Sequence, residues 1–465
     1  TIHRNHRLGR PGQYPNYRFY ASRRRGKDCS QTNPRRTPKS LVVLTIQSYT
    51  PMRSILLLLL LGIIGAPLSA QPFDLILKNG HVIDPKNEVN QKMDVAISQG
   101  RIAAVQKTIP AAQGKQVVDV SGLLVTPGII DMHGHVFAGT VSDGDLSYGF
   151  GSLPADGFTF RVGVTTVVDA GGAGAHNFHV FKRDIADRSN TRVLAFLNIC
   201  YEGMKGSEYS EYQQDVKYMD PQLAADTAKK YKDHIVGVKV AHYHSPSFVA
   251  VERAVEGGRL SNLPVMVDFG GCTPRLSLKT LLLEKMRPGD IFTHTYGELL
   301  DTKEGIVDTA RKELKPFVLE GRNRGVIYDV GHGGGSFRYS QAIPAMKAGL
   351  FPDVISTDLH TGSMNAGMKD QLNVMSKFMA LGMPLKEVIK ASTWRPAEVI
   401  DRKELGHLSV GAIADVAVLK VQKGRFGFFD VARYKQIGKQ KLECELTIKD
   451  GRIVYDLNAI SLPMP

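Results

Sequence analysis

Two histidines one residue apart, His133 and His135, close the apolar run TPGIIDMHGH. Ile129 and Ile130 read as a buried strand, and Gly134 lets the backbone between the imidazoles come close to whatever they bind. Side chains two residues apart leave the same face of a strand. The pair therefore offers two neutral nitrogen donors, half of a metal site. A bare HxH also fits an ordinary surface or core pair. The downstream sequence tips the balance, because ligand-type residues recur at the ends of later apolar runs: Lys239 in GVKVAH, Asp268 after LPVMV, His294 after DIFT and Asp358 after VIST. An isolated ammonium is expensive to bury, so Lys239 must be paired, neutralised or chemically modified.

The elements that would position these residues alternate. Eight apolar runs end in DMHGH, VVDAGG, AFLNIC, VGVKVAH, VMVDFG, IFTHTYG, IYDVGHGG and ISTDLHTG, with helical stretches between them. Asp220-Pro221 opens one such helix, a capping residue followed by proline in the first turn. Eight β-then-α units predict an α/β fold, a closed (β/α)8 TIM barrel over 127–403, with its site at the C-terminal strand ends. Short β segments over 72–126 and 404–460, with hairpin-type turns at Asn79-Gly80, Gln99-Gly100 and Asp450-Gly451, predict a small composite β-sandwich built from both chain ends. Met368, Met375 and Met379 at helical spacing, and Trp394, read as packing. Gly171, Gly172 and Gly174 form neither GxGxxG nor a Walker pattern, which gives a phosphate or dinucleotide site little support.

Charge argues against a nucleic-acid partner. The 465 residues carry a formal net charge of +14, yet twelve of the 59 Lys and Arg lie at or before Arg53, beside one acid, Asp28. The remainder is nearly neutral and has no basic field to hold phosphates. Residues 1–51, rich in Arg, Pro, Asn and Tyr, are expected to be a non-native or disordered basic leader ahead of a true start at Met52. Met52-Arg53, the apolar run Ile55–Ile64 and the small-residue end Ala66-Pro67-Leu68-Ser69-Ala70 follow the layout of a signal peptide over 52–70. The run is short for a bilayer span; the competing reading is a basic tail before a membrane anchor. The expectation is a periplasmic or secreted protein with no stable membrane span after signal cleavage. Cys29 falls in the leader, and Cys200, Cys272 and Cys444 lack CxxC spacing, so neither a disulfide framework nor a zinc–cysteine cluster is expected.

TPGIIDMHGH, the lysine-bearing fourth run, GDIFTHTYG, DVGHGGGSF and STDLHTGSMNAG together resemble the metal-dependent amidohydrolase superfamily, most closely its dihydroorotase-like deacetylase branch. The resemblance covers roughly residues 73–457 and includes the ADVAVL and KDGRIV segments. It implies two divalent metal ions, zinc foremost, and carbon dioxide taken up as a carboxylate on Lys239. By the same resemblance His133, His135 and Asp358 would hold the more buried ion, modified Lys239 would bridge, and His294 would hold the second. A bridging hydroxide would be the nucleophile, and Asp358 would take its proton and return it to the leaving group. The fifth strand of the family normally ends in histidine. Here it ends in Asp268, read as a substituted ligand, with a weak or lost second site as the alternative. His242 and His244 could compensate, or be ordinary loop histidines. His332 is expected to contact substrate or an oxyanion, a structural histidine being the alternative, and His360 is a weaker candidate.

The resulting reading is an exported metal-dependent hydrolase of carbon–nitrogen bonds other than peptide bonds. Its small-molecule substrate would carry a cyclic or N-acyl amide, or an acyl ester. Specificity would lie in loops such as 136–160 and 201–219, with Tyr148, Phe150, Tyr201, Glu202 and Tyr209. A homo-oligomer is compatible with this reading. One rival is a catalytically degenerate amidohydrolase-like barrel serving as a binding or assembly protein, which would have lost several metal histidines. The other is a one-metal deaminase, which has no use for a bridging carboxylate at Lys239.

Overall fold

The computed structural model describes residues 71–138, 151–205 and 211–462. The leader 1–51, the signal-type segment 52–70, and Tyr148, Phe150 and Tyr209 lie outside the described residues. The alternating runs after Phe73 form Phe73–Asp84 (β1), Val89–Ser98 (β2), Arg101–Gln106 (β3), Gly114–Asp119 (β4) and Leu124–Pro127 (β5). Gln99-Gly100 turns β2 into β3, with φ of 50° and 73°, the primed geometry that follows strand twist. Asn79-Gly80 is not a hairpin turn. β1 runs straight through it, with a register shift between Leu77 and Gly80 and Asn79 at φ 65°. The reason is that β1 has two parallel neighbours in succession, β4 beside Phe73–Lys78 and β5 beside His81 and Val82. A bulge lets one strand serve both.

The barrel strands follow: Ile129–Gly134 (β6), Val164–Ala170 (β7), Arg192–Asn198 (β8), Ile235–Val240 (β9), Val265–Val267 (β10) and Ile291–Phe292 (β11). A small hairpin, Val307–Asp308 (β12) with Glu313–Leu314 (β13), precedes Ile327–Tyr328 (β14). The parallel order is β14-β11-β10-β9-β8-β7-β6. The eighth run joins through single parallel bridges on both flanks, Asp329 with Val354 and Gly134 with Leu359. Two backbone bonds complete the ring there: Asp358 N–H donates to His133 O at 2.7 Å and His135 N–H to Leu359 O at 2.8 Å. One apolar cluster draws on all eight positions through Ile130, Val168, Phe196, Val236, Met266, Ile291, Ile327 and Val354, a set that only a barrel interior brings together. Ile400 and Leu405 belong to this cluster and Trp394 packs on it. The helices behave as their sequences suggest. Pro221–Lys230 begins where the Asp220 carboxylate accepts from Leu223 N–H at 3.0 Å. Met368 and Met375 are core residues, with Met379 packed beside them.

The chain then returns to its first sheet as Val416–Phe429 (β15), Lys435–Lys449 (β16) and Arg452–Asp456 (β17), with Asp450-Gly451 as the expected turn. β15 lies antiparallel to β5, giving the order β17-β16-β15-β5-β1-β2-β3 with β4 also on β1. Strands from both chain ends thus share one eight-stranded sheet. Leu77, Val82 and Val95 share a core with Val416, Val418 and Leu446. No helix among the described residues is long and apolar enough to cross a membrane.

Phe196 fills the barrel centre above Gly237, where a Cβ would stand 2.4 Å from its Cδ1. Phe196→Ala should lower the unfolding free energy by about 3–5 kcal/mol in urea titrations followed by circular dichroism. A loss under about 1 kcal/mol would mean that the ring is not a filler of the barrel centre.

Candidate metal centre

Strict alternation along β6 would turn His133 away from the face that Ile130 and Met132 share. One extra residue between Asp131 and Gly134, relative to β7, resets the alternation and re-aims the imidazoles, a common use of a bulge. His133 Nδ1 donates to Thr293 Oγ1 at 3.0 Å, because that hydroxyl gives its own proton to Asp329 Oδ2 at 2.6 Å. This leaves His133 Nε2 with a bare lone pair, 3.5 Å from Asp358 Oδ1. His135 Nε2 stands 3.0 Å from the same oxygen. Across the site His294 Nδ1 donates to Gly331 O at 2.5 Å, so its Nε2 is also an acceptor, and it faces Asp268 Oδ2 at 3.4 Å. Acceptors facing acceptors call for a cation between them. His133, His294 and Asp358 offer ligand atoms that all lie within 4.8 Å of one another.

Lys239 is 1 % exposed. Its Nζ lies 3.5 Å from His133 Nε2 and 3.6 Å from Met266 Sδ, and no carboxylate oxygen of the described residues comes within 4.0 Å. Gly171, at φ 90°, makes room for it: a Cβ there would stand 2.7 Å from Lys239 Cγ. Burial disfavours the ammonium and lowers its pKa, against the pull of Asp268 and Asp358. Burial and the Lys239 charge together push His133 down to about 3, which keeps the imidazole neutral. Asp358 is buried, yet His133 and His135 beside it hold it well below the usual carboxylate range. His294 and Asp358 both have left-handed backbones, φ 55° and 53°, the kind of strain that gathers at functional sites.

The six residues expected to hold metal therefore converge. His332 does not join them, which corrects the expectation of a substrate or oxyanion contact. Its ring is fully buried and stacked on Phe337 at 4.6 Å. Its nitrogens are engaged by Gly333 O at 2.9 Å and by Lys377 Nζ at 2.6 Å. The neighbouring glycines face the site instead: a Cβ on Gly333 would lie 2.5 Å from Asp358 Oδ2, and Gly334 and Gly335 line the cavity. His360 stands at the edge, Nε2 3.9 Å from Asp358 Oδ2, while its Nδ1 accepts from Gly362 N–H.

Two features escaped sequence reasoning. Asp329 accepts from Thr293 Oγ1 and from Ser356 Oγ at 2.6 Å, and Ser356 Oγ in turn accepts from Gly331 N–H at 2.9 Å. One buried carboxylate thereby orients His133 and holds the carbonyl that His294 uses. The aspartate two residues before Gly331 in YDVG was the available signal. Lys303 had none. It is buried in the wall of a cavity of about 670 Å³ shared with Asp268, His294 and Asp358, within the usual range for small-molecule sites.

Comparison with known proteins gives this geometry a family. The profile described as Amidohydrolase family matches residues 338–454. A deacetylase of Agrobacterium fabrum is 33% identical over 338 residues, 72% of this chain and 79% of that protein. The chain belongs to the amidohydrolase superfamily, in its dihydroorotase and deacetylase branch. Two solved structures agree. An adenine deaminase superposes with a TM-score of 0.73 at 28% identity, covering 83% of this chain and 100% of its own. A dihydroorotase superposes with a TM-score of 0.71 at 28% identity, covering 82% and 99%. This amidohydrolase accordingly hydrolyses carbon–nitrogen bonds other than peptide bonds, and its barrel is of the TIM type.

Asp329→Asn keeps the size of the side chain but removes the charge behind Thr293. It should raise sensitivity to chelators about 10–100-fold, read as metal content after dialysis against graded chelator, with an unchanged circular dichroism spectrum. Retention equal to the parent would show that Asp329 does not support the metal centre.

Proposed function

We propose that this amidohydrolase is an exported two-metal enzyme that hydrolyses an N-acyl or cyclic amide, or an acyl ester, of a small molecule. The observation that supports this best is Lys239, a buried amine with no carboxylate oxygen of the described residues within 4.0 Å, set near the imidazoles and carboxylates of the site. Addition of carbon dioxide to the deprotonated Nζ, with one N–H proton released to water, would turn the awkward cation into a carbamate anion beside His133, an anionic metal ligand among the neighbouring imidazoles and carboxylates. His133, His135 and Asp358 would hold one ion; His294 and Asp268 would hold the other. A pair of divalent ions, zinc foremost, would polarise the scissile carbonyl and acidify a water.

The chain's own groups supply the proton traffic. Asp358, kept ionised beside His133 and His135, takes the proton from the attacking water and passes it to the leaving nitrogen or oxygen. Gly334 and Gly335 leave space for the substrate to approach Asp358. Lys303 narrows the substrate class. Burial pushes its ammonium down to about 8, and no carboxylate of the described residues lies within 4.0 Å to pair with it. It faces the cavity and is placed to receive an anionic substituent, so N-acyl amino acids come first among candidates. The likeness to a deacetylase supports the acyl reading. The sheet shared by both chain ends, with apolar residues on either face, we read as the composite β-sandwich. A homo-oligomer is compatible with this proposal.

The test is a screen of metal-loaded protein, residues 71–465, against N-acyl amino acids, cyclic amides, acetyl esters and adenine. Hydrolysis of an acyl or cyclic amide is the expected result. Ammonia release from adenine alone would move the reading to a deaminase, and full metal loading without any turnover would move it to a binding protein. Lys239→Ala should lose most bound metal and most activity, with partial rescue by short-chain carboxylic acids. Full metal content in that variant would remove the bridge. Lys303→Met should raise KM about 10-fold or more for carboxylate-bearing substrates and leave neutral analogues unaffected. For export, protein expressed from Met52 in a bacterial host should appear outside the cytoplasm with an N-terminus near Gln71. An uncleaved cytoplasmic product would end that part of the proposal.

A further inference from the structure

The fifth barrel strand ends in a carboxylate, Asp268, where the family's histidine would have supplied a nitrogen donor. A second imidazole comes close to that carboxylate from the loop after β9. His242 Nε2 lies 3.6 Å from Asp268 Oδ2, the same oxygen that faces His294 Nε2 at 3.4 Å. Both separations are long for N–H···O hydrogen bonds, which cluster at about 2.7–3.2 Å. Each imidazole–carboxylate pair by itself has the spacing of two donors on one ion: bonds of about 2.0–2.2 Å at tetrahedral angles place two ligand atoms about 3.3–3.6 Å apart.

The surrounding backbone holds His242 in this pose. Its φ is 56°, a left-handed conformation unusual for a residue with a Cβ. Gln214 Nε2 donates to His242 O at 2.5 Å, and Gln214 Oε1 accepts from His244 N–H at 3.0 Å, so one amide clamps both sides of the turn. Asp268 N–H donates to Val240 O at 3.0 Å, which fastens the carboxylate-bearing strand end to the strand end that leads into His242. His242, Asp268 and His294 line the same cavity.

We propose that His242 is a ligand of the second metal ion, together with Asp268 and His294, and supplies the imidazole that the fifth strand lacks. This rests on the two-metal reading above. The second ion would then keep two nitrogen donors and gain a carboxylate, a harder and more anionic set than two histidines alone.

Metal content decides it, measured on purified holoenzyme by mass spectrometry after dialysis against a weak chelator. The parent should hold about two ions per chain and His242→Ala about one. The double variant His242→Ala/Asp268→His, which returns an imidazole to the fifth strand, should recover about two. Cobalt-substituted protein should show the same pattern as loss and return of one visible absorption band. If His242→Ala keeps two ions with the parent's resistance to chelator, His242 is not a ligand, and the two-metal reading survives without it. If His242→Ala fails to fold, the double variant carries the test: recovery of two ions supports the proposal, and a single ion overturns it. If the parent itself holds one ion, this proposal falls together with the two-metal reading.

Discussion

The structure around the site is arranged to accommodate one buried amine. Lys239 extends from β9 into a region that excludes water, and an ammonium there is costly unless something neutralises it. Every neighbour bears on that charge. Asp268 and Asp358 act on it through space, His133 presents a lone pair to it, and Gly171 gives up its side chain to make room. An amine that burial has made easier to deprotonate is also one that reacts readily with carbon dioxide. Desolvation, donor convergence and the proposed modification are thus one physical problem with one solution.

Holding the donors around that amine requires irregular backbone at several strand ends. The β6 bulge re-aims two histidines, and left-handed residues occur at His242, His294 and Asp358. Such conformations persist only where the surroundings over-determine them. The hydroxyl and carboxylate chain through Thr293, Asp329 and Ser356 does this on one side, and ring closure between β6 and the eighth run does it on the other. The eighth run forms only single bridges because the residue that closes the ring, Asp358, is also the one whose backbone turns to face the site.

Behind the site another buried lysine, Lys377, links the barrel to the shared sheet. Lys377 donates to His332 Nε2, to Gly367 O and to Phe429 O, the last at the far end of β15. Three acceptors satisfy its ammonium fully, in contrast to Lys239. This explains where His332 ended up. Its imidazole is needed as an acceptor beneath the glycine run, and the run itself is what reaches Asp358. Lys239 and Lys377 therefore divide the work: the first has no carboxylate of the described residues within 4.0 Å at the site, and the second anchors the loops that surround it.

The alternation of apolar runs and helices, the strand-end positions of His133, His135, Lys239, Asp268, His294 and Asp358, and the β-rich ends were legible in the chain alone, because periodicity and residue type are local properties. The Gln99-Gly100 and Asp450-Gly451 turns were legible for the same reason. Asn79-Gly80 was not, since the same dipeptide serves a hairpin or a bulge and only the two parallel neighbours of β1 choose between them. His332 looked like a site residue by its glycine context, but which way its ring points depends on Lys377, forty-five residues away. Asp329, Lys303 and the approach of His242 to Asp268 likewise depend on distances between separate strand ends. Those distances are set by closure of the barrel, and no local stretch of sequence encodes them.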